Sequence, residues 1–286
     1  MRYLEPLYRP PAEADSFILQ ATHGCSWNAC GFCAMYRMRP FHLRPLAEVL
    51  SEIAEARIFA EEIRHVFVAD GDALVMPMDH WEPILKALRE TFPRLRRVGC
   101  YATARTLLGK TPAELRRLRE LGLALLYIGP ESGDDETLRR IGKGSSAAEH
   151  LEAALRAREA GMDLSLMFLL GVGGRERSEE HARAAGRLAT DMNPKYLSTL
   201  TLTVIPDTPL ALSRCFELPD VQGLLQELRW FIEEAAPTGA IFRSDHASNH
   251  LPIAGRLPRD RGTILAAIDG ALEGRVALRR KETRRN

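Results

Sequence analysis

Apolar residues follow two alternating rhythms along this chain. In one they crowd short runs, at residues 16–22, 65–69, 97–101, 124–129, 164–170 and 197–205, and each run predicts a buried strand. In the other they return every three or four positions, which predicts helices over 46–62, 81–91, 112–121, 147–160, 179–190 and 221–235. The first of these carries Leu46, Val49, Leu50, Ile53, Ala56 and Ile58 at that spacing. Thr111 stands as an N-cap with Pro112 at the first helical position, and Gly161 marks a helix end. A last helix is expected over 262–272.

Strand and helix thus alternate six times. The alternation calls for a parallel sheet covered by helices, and by pattern alone a doubly wound sheet and a partial (β/α) barrel are equally allowed. No linker rich in Gly, Ser or Pro interrupts it, so residues 1–236 read as one domain and 237–286 as a C-terminal extension. In parallel α/β folds ligands gather at the carboxyl ends of the strands. The residues there are His23-Gly24-Cys25, Asp70-Gly71-Asp72, Thr103 with Arg105, Glu131-Ser132-Gly133, Gly171-Val172-Gly173-Gly174 and Pro206-Asp207-Thr208. Turn chemistry accounts for the glycines and prolines, but less well for the carboxylates.

Charge narrows the class of partner. Lys and Arg number 39 against 38 Asp and Glu, a balance that gives no electrostatic case for nucleic acid or a membrane surface. The basic tail, Arg279-Arg280-Lys281 to Arg284-Arg285, reads as a solvated helix end. The longest apolar runs, 121–128 and 164–172, are too short to cross a bilayer, and Met1-Arg2-Tyr3-Leu4-Glu5-Pro6 has no apolar signal core. A cytoplasmic location is expected. There the five cysteines, an odd number, argue for metal or catalytic use over a disulfide framework.

Three of those cysteines lie within nine residues: Cys25-Ser26-Trp27-Asn28-Ala29-Cys30-Gly31-Phe32-Cys33, a C-x4-C-x2-C spacing. Thiolates so close in sequence, on a loop after a strand, suit zinc or an iron–sulfur cluster. A structural zinc site needs a fourth ligand, for which His23 and His42 are near enough in sequence, whereas Cys100 and Cys215 are remote. Three ligands without a fourth suit a cluster with one open iron.

The loop over residues 24–36 resembles the signature of the radical S-adenosylmethionine (SAM) superfamily. In that family three cysteines hold three irons of a [4Fe-4S] cluster, and SAM chelates the fourth through its α-amino and α-carboxylate groups. The commonest family spacing is C-x3-C-x2-C, so the extra residue between Cys25 and Cys30 is a departure, shared with variants in some subgroups. Phe32 matches the family's aromatic position, near the adenine. Asp70-Gly71-Asp72-Ala73-Leu74 takes the place of the element that receives the SAM amino group, which implies Asp72 as its acceptor. The segments 127–133 and 138–144 are similar to the element after the fourth strand. They imply Glu131 and Ser132 on the ribose hydroxyls, and Arg140 or Lys143 on the SAM carboxylate. Gly171, in Leu169-Leu170-Gly171-Val172-Gly173-Gly174, resembles a glycine that lets the backbone approach the adenine.

The resemblance covers residues 16–208. It implies an α/β fold, a partial (β/α)6 barrel of the radical SAM type with a C-terminal extension. It also implies an oxygen-sensitive enzyme that cleaves SAM reductively to a 5′-deoxyadenosyl radical, fed by an electron donor such as flavodoxin or ferredoxin. Cys100 and Cys215 are too few for a second cluster with cysteine ligands, and no Rossmann-like extension is present for cobalamin. A small-molecule substrate is expected. The alternatives are a radical SAM enzyme that modifies RNA or protein, and a zinc-stabilised α/β binding protein without catalysis.

Outside the barrel, residues 242–250 pack Arg243, Asp245, His246, Asn249 and His250 with two serines into nine positions. Histidines at i and i+4 would share a helical face. Asp245, His246, Asn249 and His250 are therefore the candidate substrate contacts, on a lid over the barrel mouth. The plainer alternative is an exposed polar turn.

Overall fold

The apolar runs become strands and the amphipathic stretches become helices in the computed structural model, which describes residues 3–279. The chain forms two compact units. The first comprises residues 3–28, Cys33–Ile128 and Ala153–Leu164. Its elements are β1 (Phe17–Gln20), β2 (Thr22–His23), β3 (His42–Leu43), α1 (Leu46–Glu55), β4 (His65–Ala69), α2 (Met78–Thr91), β5 (Arg97–Tyr101), α3 (Ala104–Leu108), α4 (Pro112–Glu120) and most of β6 (Leu123–Glu131).

Here β1, β4, β5 and β6 lie side by side in that order, all parallel. Phe17 stands opposite Val66, His65 opposite Arg97, and Tyr101 opposite Tyr127. Four consecutive residues of β4 are buried, as in a parallel strand covered on both faces. The short pair β2–β3 is antiparallel and sets His23 opposite His42. Thr111 caps α4 through a capping box with Glu114, as its sequence predicts. The helix expected over 46–62 is shorter: α1 ends at Glu55 and gives way to one 3-10 turn, Ala56–Phe59.

The second unit comprises Ala29–Phe32, Gly129–Glu152 and residues 165–279. It holds the end of β6, α5 (Asp135–Arg140) and the first part of α6 (Ala147–Glu159). Then come β7 (Asp163–Leu170), whose last six residues belong here, α7 (Ser178–Met192), β8 (Tyr196–Thr201), α8 (Pro209–Leu212) and α9 (Val221–Glu234). The remaining elements are β9 (Ala240–Arg243), β10 (Ala254–Leu257) and α10 (Arg261–Leu272). Strands β7, β8 and β9 are parallel neighbours, and β10 returns antiparallel to β9. Along β7 buried and half-buried residues alternate, with Leu164, Leu166, Phe168 and Leu170 in the core. Helix α7 packs on α9, and α9 on α10. The first contact is close because Gly186 has no side chain: a β-carbon there would stand 2.5 Å from the Phe231 carbonyl oxygen.

Two further expectations change. The sixth strand, expected over 197–205, ends at Thr201. Residues from 237 onward add two strands, β9 and β10, that no alternation announced, since each is only four residues long. Among the described residues no helix is long and apolar enough to cross a membrane.

Candidate functional site

The cysteine loop leaves β2 at Gly24, whose φ of +74° and tight surroundings admit only glycine: a β-carbon would stand 2.8 Å from the Arg39 carbonyl oxygen. Its N–H donates to Asp70 Oδ2 at 3.2 Å. That carboxylate oxygen also accepts from Gln20 Nε2 at 3.2 Å and Arg39 Nη1 at 2.9 Å. Next along, Ser26 donates its hydroxyl to Asp72. The Arg105 guanidinium lies 4.4 Å from the Trp27 ring centroid, a cation–π contact. Asn28, itself at φ +45°, donates Nδ2 to the Tyr36 and Arg39 carbonyls at 2.9 and 3.1 Å. The backbone N–H groups of Asn28 and Trp27 point at the Cys25 sulfur. Burial pushes this thiol up, and those two donors pull it back toward the thiolate.

Residues 29–32 are pinned by backbone bonds inside the second unit. Gly31 donates to the Ile141 carbonyl at 2.7 Å and accepts from Leu210 N–H at 3.0 Å. Phe32 packs on the apolar cluster of Leu138, Ile141, Val172, Leu202 and Leu210, and the Lys143 ammonium lies 5.9 Å from its ring centroid. The three loop cysteines are all half-buried, whereas Cys100 is buried and Cys215 exposed. Among the described residues no three His, Cys, Asp or Glu side chains are drawn into one metal-binding group. His23 and His42 face each other instead, with ring centroids 6.0 Å apart. The loop thus offers three accessible thiols, one with backbone donors in place. That donor set fits a thiolate-held cluster.

Asp72 is wholly buried and accepts from three hydroxyls: Ser26, Thr103 at 3.4 Å and Thr106 at 3.0 Å. Burial raises its carboxyl to about 6. Both oxygens are committed to the chain, and Asp72 acts on the loop through Ser26. Its neighbour Asp70 keeps Oδ1 buried and without a partner among the described residues.

At the end of β6, Glu131 adopts φ +68° and folds its carboxylate back over Gly129, where a β-carbon would stand 2.2 Å from Glu131 Oε1. Oε1 pairs with Lys143 Nζ at 3.0 Å, and Oε2 is buried without a partner among the described residues. Ser132 is fully engaged: its hydroxyl meets His181 Nδ1 at 2.8 Å and accepts from the Asp134 N–H at 3.0 Å. Burial holds His181 down at about 4, so the ring is neutral. Of the two basic candidates, Lys143 is the one at Glu131. Arg140 is drawn off by Glu136 and by a bidentate pair with Glu176 at 2.9 and 3.1 Å.

Gly171, at φ +87°, is tightly enclosed: a β-carbon would stand 2.6 Å from Leu218 Cδ1 and 2.9 Å from Leu224 Cδ2. Its N–H donates to Glu227 Oε2 at 2.5 Å, while Ser178 donates to Oε1 at 2.6 Å. Glu227 is fully buried, and burial raises its carboxyl to about 7.

The segment between β9 and β10 is irregular, so the helical face expected for His246 and His250 does not form. Ser244 and Ile253 instead exchange backbone bonds that close it as a loop. Asn249 is buried: Nδ2 donates to the Thr199 carbonyl at 2.7 Å and Ser244 Oγ at 3.1 Å, and Oδ1 accepts from Thr201 Oγ1 at 3.0 Å. His250 is also buried and, with Asn249, Ser244 and Thr201, lines a cavity of about 10 Å³, the size of one water. Asp245 is exposed and pairs with Arg243 at 3.1 Å, and half-buried His246 meets Ser248 Oγ at 2.9 Å. Arg279 donates to the Asp245 and His246 carbonyls at 3.0 and 2.7 Å. The rest of the basic tail lies outside the described residues.

Against known proteins, the family model described as the radical SAM superfamily matches residues 19–188, from β1 through most of α7. The chain belongs to the radical SAM superfamily. Solved radical SAM structures share the fold at low identity. Methylornithine synthase aligns at TM-score 0.55 and 18% identity over 77% of this chain and 63% of its own. Coproporphyrinogen III oxidase from Escherichia coli aligns at 0.59 and 19% over 77% and 52%. A radical SAM methyltransferase from Kitasatospora setae aligns at 0.55 and 19% over 69% and 38%. An uncharacterized protein of Methanopyrus kandleri is 28% identical over 190 residues, 62% of this chain. The chain spans only 36% of that relative and less than two thirds of each of these structures.

The protein is therefore a radical SAM enzyme, of a family whose cofactors are a [4Fe-4S] cluster and SAM, and it has the expected mostly parallel α/β fold that these structures share. Membership sets aside the non-catalytic zinc protein. Sequence reading overlooked Tyr36, Asp70, His181 and Glu227. Asp70 and Tyr36 lie inside quoted segments, whereas His181 and Glu227 sit in helical stretches.

Proposed function

We propose that Cys25, Cys30 and Cys33 hold three irons of the cluster, leaving the fourth for SAM, and that the enzyme acts on a small molecule. When bound, the cluster and SAM supply a one-electron cleavage that yields a 5′-deoxyadenosyl radical. The chain's residues bind, orient and shield. The observation that supports this reading best is Glu131 Oε2, a buried carboxylate oxygen with no partner among the described residues, beside a Lys143 that neutralises the other oxygen. A buried acceptor of this kind calls for a donor from outside the chain, and a ribose hydroxyl meets the need. Lys143 fits the SAM carboxylate better than Arg140, whose guanidinium is spent on two glutamates. Phe32, packed under Lys143, offers an aromatic face for the adenine. Asp72 and Ser132 act one step back, by holding the loops. Gly171 does the same through its enclosed turn.

The balance of 39 basic and 38 acidic residues favours a small substrate, since a nucleic-acid groove carries a basic excess. Of the residues expected on the substrate, Asp245 is exposed and His246 half-buried, while Asn249 and His250 are buried. An external one-electron donor such as flavodoxin or ferredoxin completes the cycle.

Anaerobic reconstitution tests the ligand set. The wild-type chain should take up about four irons with a thiolate charge-transfer band. Replacing Cys25, Cys30 or Cys33 with Ala should abolish it, and Cys100→Ala and Cys215→Ala should not. Full iron content in any of the first three variants would overturn the assignment. In the loaded protein Glu131→Gln should weaken SAM by about ten- to a hundredfold, the cost of a charge-assisted hydrogen bond.

A further inference from the structure

Helix α7 carries a buried histidine that the proposed chemistry leaves unused. His181 is 1% exposed, on a helix face otherwise made of small or apolar residues such as Ala182, Ala185, Leu188 and Met192. A buried imidazole there costs desolvation that an aliphatic side chain would avoid, unless its nitrogens serve partners. Both edges of the ring lie at strand-end loops. Nδ1 meets the Ser132 hydroxyl at 2.8 Å, after β6. Nε2 stands 4.0 Å from Glu227 Oε2, the oxygen that accepts from the Gly171 N–H after β7.

Around this ring, the first turns of α7 and Arg177 before them mount both loops, all within the second unit. On the β6 side Arg177 grips Asp134 through two bonds of 2.7 and 2.8 Å. Gly133 packs so closely that a β-carbon there would stand 2.2 Å from the Ala184 carbonyl oxygen. On the β7 side a β-carbon on Gly173 would stand 2.8 Å from His181 Cβ, and Ser178 holds Glu227 at 2.6 Å. Ser132 follows Glu131 directly, and its hydroxyl also accepts from the Asp134 N–H at 3.0 Å. A hydroxyl held from both sides fixes the backbone from which Glu131 projects.

We propose that His181 is a positioning residue for SAM: its bond to Ser132 sets the loop after β6 so that the Glu131 carboxylate meets the ribose. This rests on the reading of Glu131 as the ribose acceptor. His181 acts through Ser132 and touches neither SAM nor the cluster. It removes freedom that the loop would otherwise lose on binding SAM, and preorganisation of that kind appears as affinity.

The test is SAM affinity, measured by calorimetry on the cluster-loaded holoenzyme. His181→Leu fills the site without a polar atom, and its SAM affinity should fall about tenfold at wild-type iron content. His181→Asn puts a polar atom where Nδ1 stood and should restore affinity to within about threefold of the wild type. In a Glu131→Gln background His181→Leu should add little, because the two changes act on one contact. The Asp134 amide, whose hydrogen goes to Ser132, gives a readout free of SAM: its hydrogen exchange should quicken in His181→Leu and not in His181→Asn. Ser132→Ala removes the same bond from its other end and decides the question if the Leu variant folds poorly. Wild-type SAM affinity in folded His181→Leu or Ser132→Ala would overturn the proposal. So would an Asn variant as weak as the Leu variant, which would reduce the ring to packing, or a full further loss on top of Glu131→Gln. If Glu131→Gln alone binds SAM as tightly as the wild type, the reading of Glu131 beneath the proposal fails instead.

Discussion

Ser26, next to the first cysteine, donates its hydroxyl to Asp72, a fully buried carboxylate on the loop that leaves β4. The same carboxylate holds Thr103 and Thr106 at the start of α3, so one side chain joins the cysteine loop to two strand ends. Burial lifts its carboxyl from 3.8 to about 6. Below the unfolded value both states are protonated. As pH rises from about 4 to 6 the unfolded chain ionises first, so stability falls across that window and levels above it. The shift corresponds to roughly 3 kcal/mol. Asp72→Asn should reduce the fall between pH 4 and 6, read as melting temperature, to the part that Glu227 contributes. It should also lower iron uptake, because the amide turns donor hydrogens toward hydroxyls that need an acceptor.

Glu227 has the same sign at a higher pH. It accepts from Gly171 N–H and Ser178 Oγ, and its carboxyl is raised from 4.5 to about 7. Stability should fall as pH rises from about 4.5 through 7, by on the order of 3 kcal/mol. Glu227→Gln keeps an acceptor for the Gly171 N–H and removes the charge. Its melting temperature should fall less than the wild type's between pH 6 and 8, above the Asp72 window, and exceed that of the wild type at pH 8. A wild-type slope persisting in this variant would place the titration elsewhere.

The fold was legible where runs were long. The strands at 65–69 and 97–101 and the helix after Thr111 follow their periodicity almost residue for residue. Helices α3 and α5 are only five and six residues, too short to show a period, and are set by the caps Thr103 and Asp134. In the candidate site the cysteines were visible because their spacing is unusual. Roles within each strand-end loop were not, because neighbouring residues differ in burial in ways a motif does not record. Asp70 and Asp72 sit two apart, yet one keeps an unpartnered oxygen and the other spends both. Arg140 and Lys143 are three apart on one turn, and only the glutamates at 136 and 176 decide which is drawn away.

Gly129 gives a direct handle on Glu131. Its absent side chain leaves the space that the Glu131 carboxylate fills, 2.2 Å from where a β-carbon would stand. Gly129→Ala should push the flexible carboxylate off Lys143 without unfolding the strand. Iron content should stay at the wild-type level while SAM affinity, measured by calorimetry, drops about tenfold or more, the loss of one charge-assisted bond. Equal SAM affinity would show that Glu131 does not touch SAM.

Asn249 separates wall from contact in the segment after β9. Its amide makes three buried bonds, to the Thr199 carbonyl and to the hydroxyls of Thr201 and Ser244, which tie the loop to the end of β8. Truncation leaves those groups buried without partners, each worth about 1–3 kcal/mol. Asn249→Ala should therefore cost roughly 2–4 kcal/mol of stability, at the upper end of single substitutions. Asn249→Asp should be no better, because it aims a carboxylate oxygen at the Thr199 carbonyl. His246 differs. It is half-buried and, among the described residues, its ring bonds to Ser248, two residues away, so His246→Ala should cost less than about 1 kcal/mol. If His246 meets the substrate, this variant should still cleave SAM with dithionite but lose the dependence of cleavage on added substrate, since orientation decides which hydrogen the radical meets. Thermal melts and SAM-cleavage assays on the two variants should therefore split: Asn249→Ala low in stability, His246→Ala normal in stability and uncoupled. A His246→Ala enzyme with full substrate coupling would reduce the segment to the structural loop that its hydrogen bonds already make it.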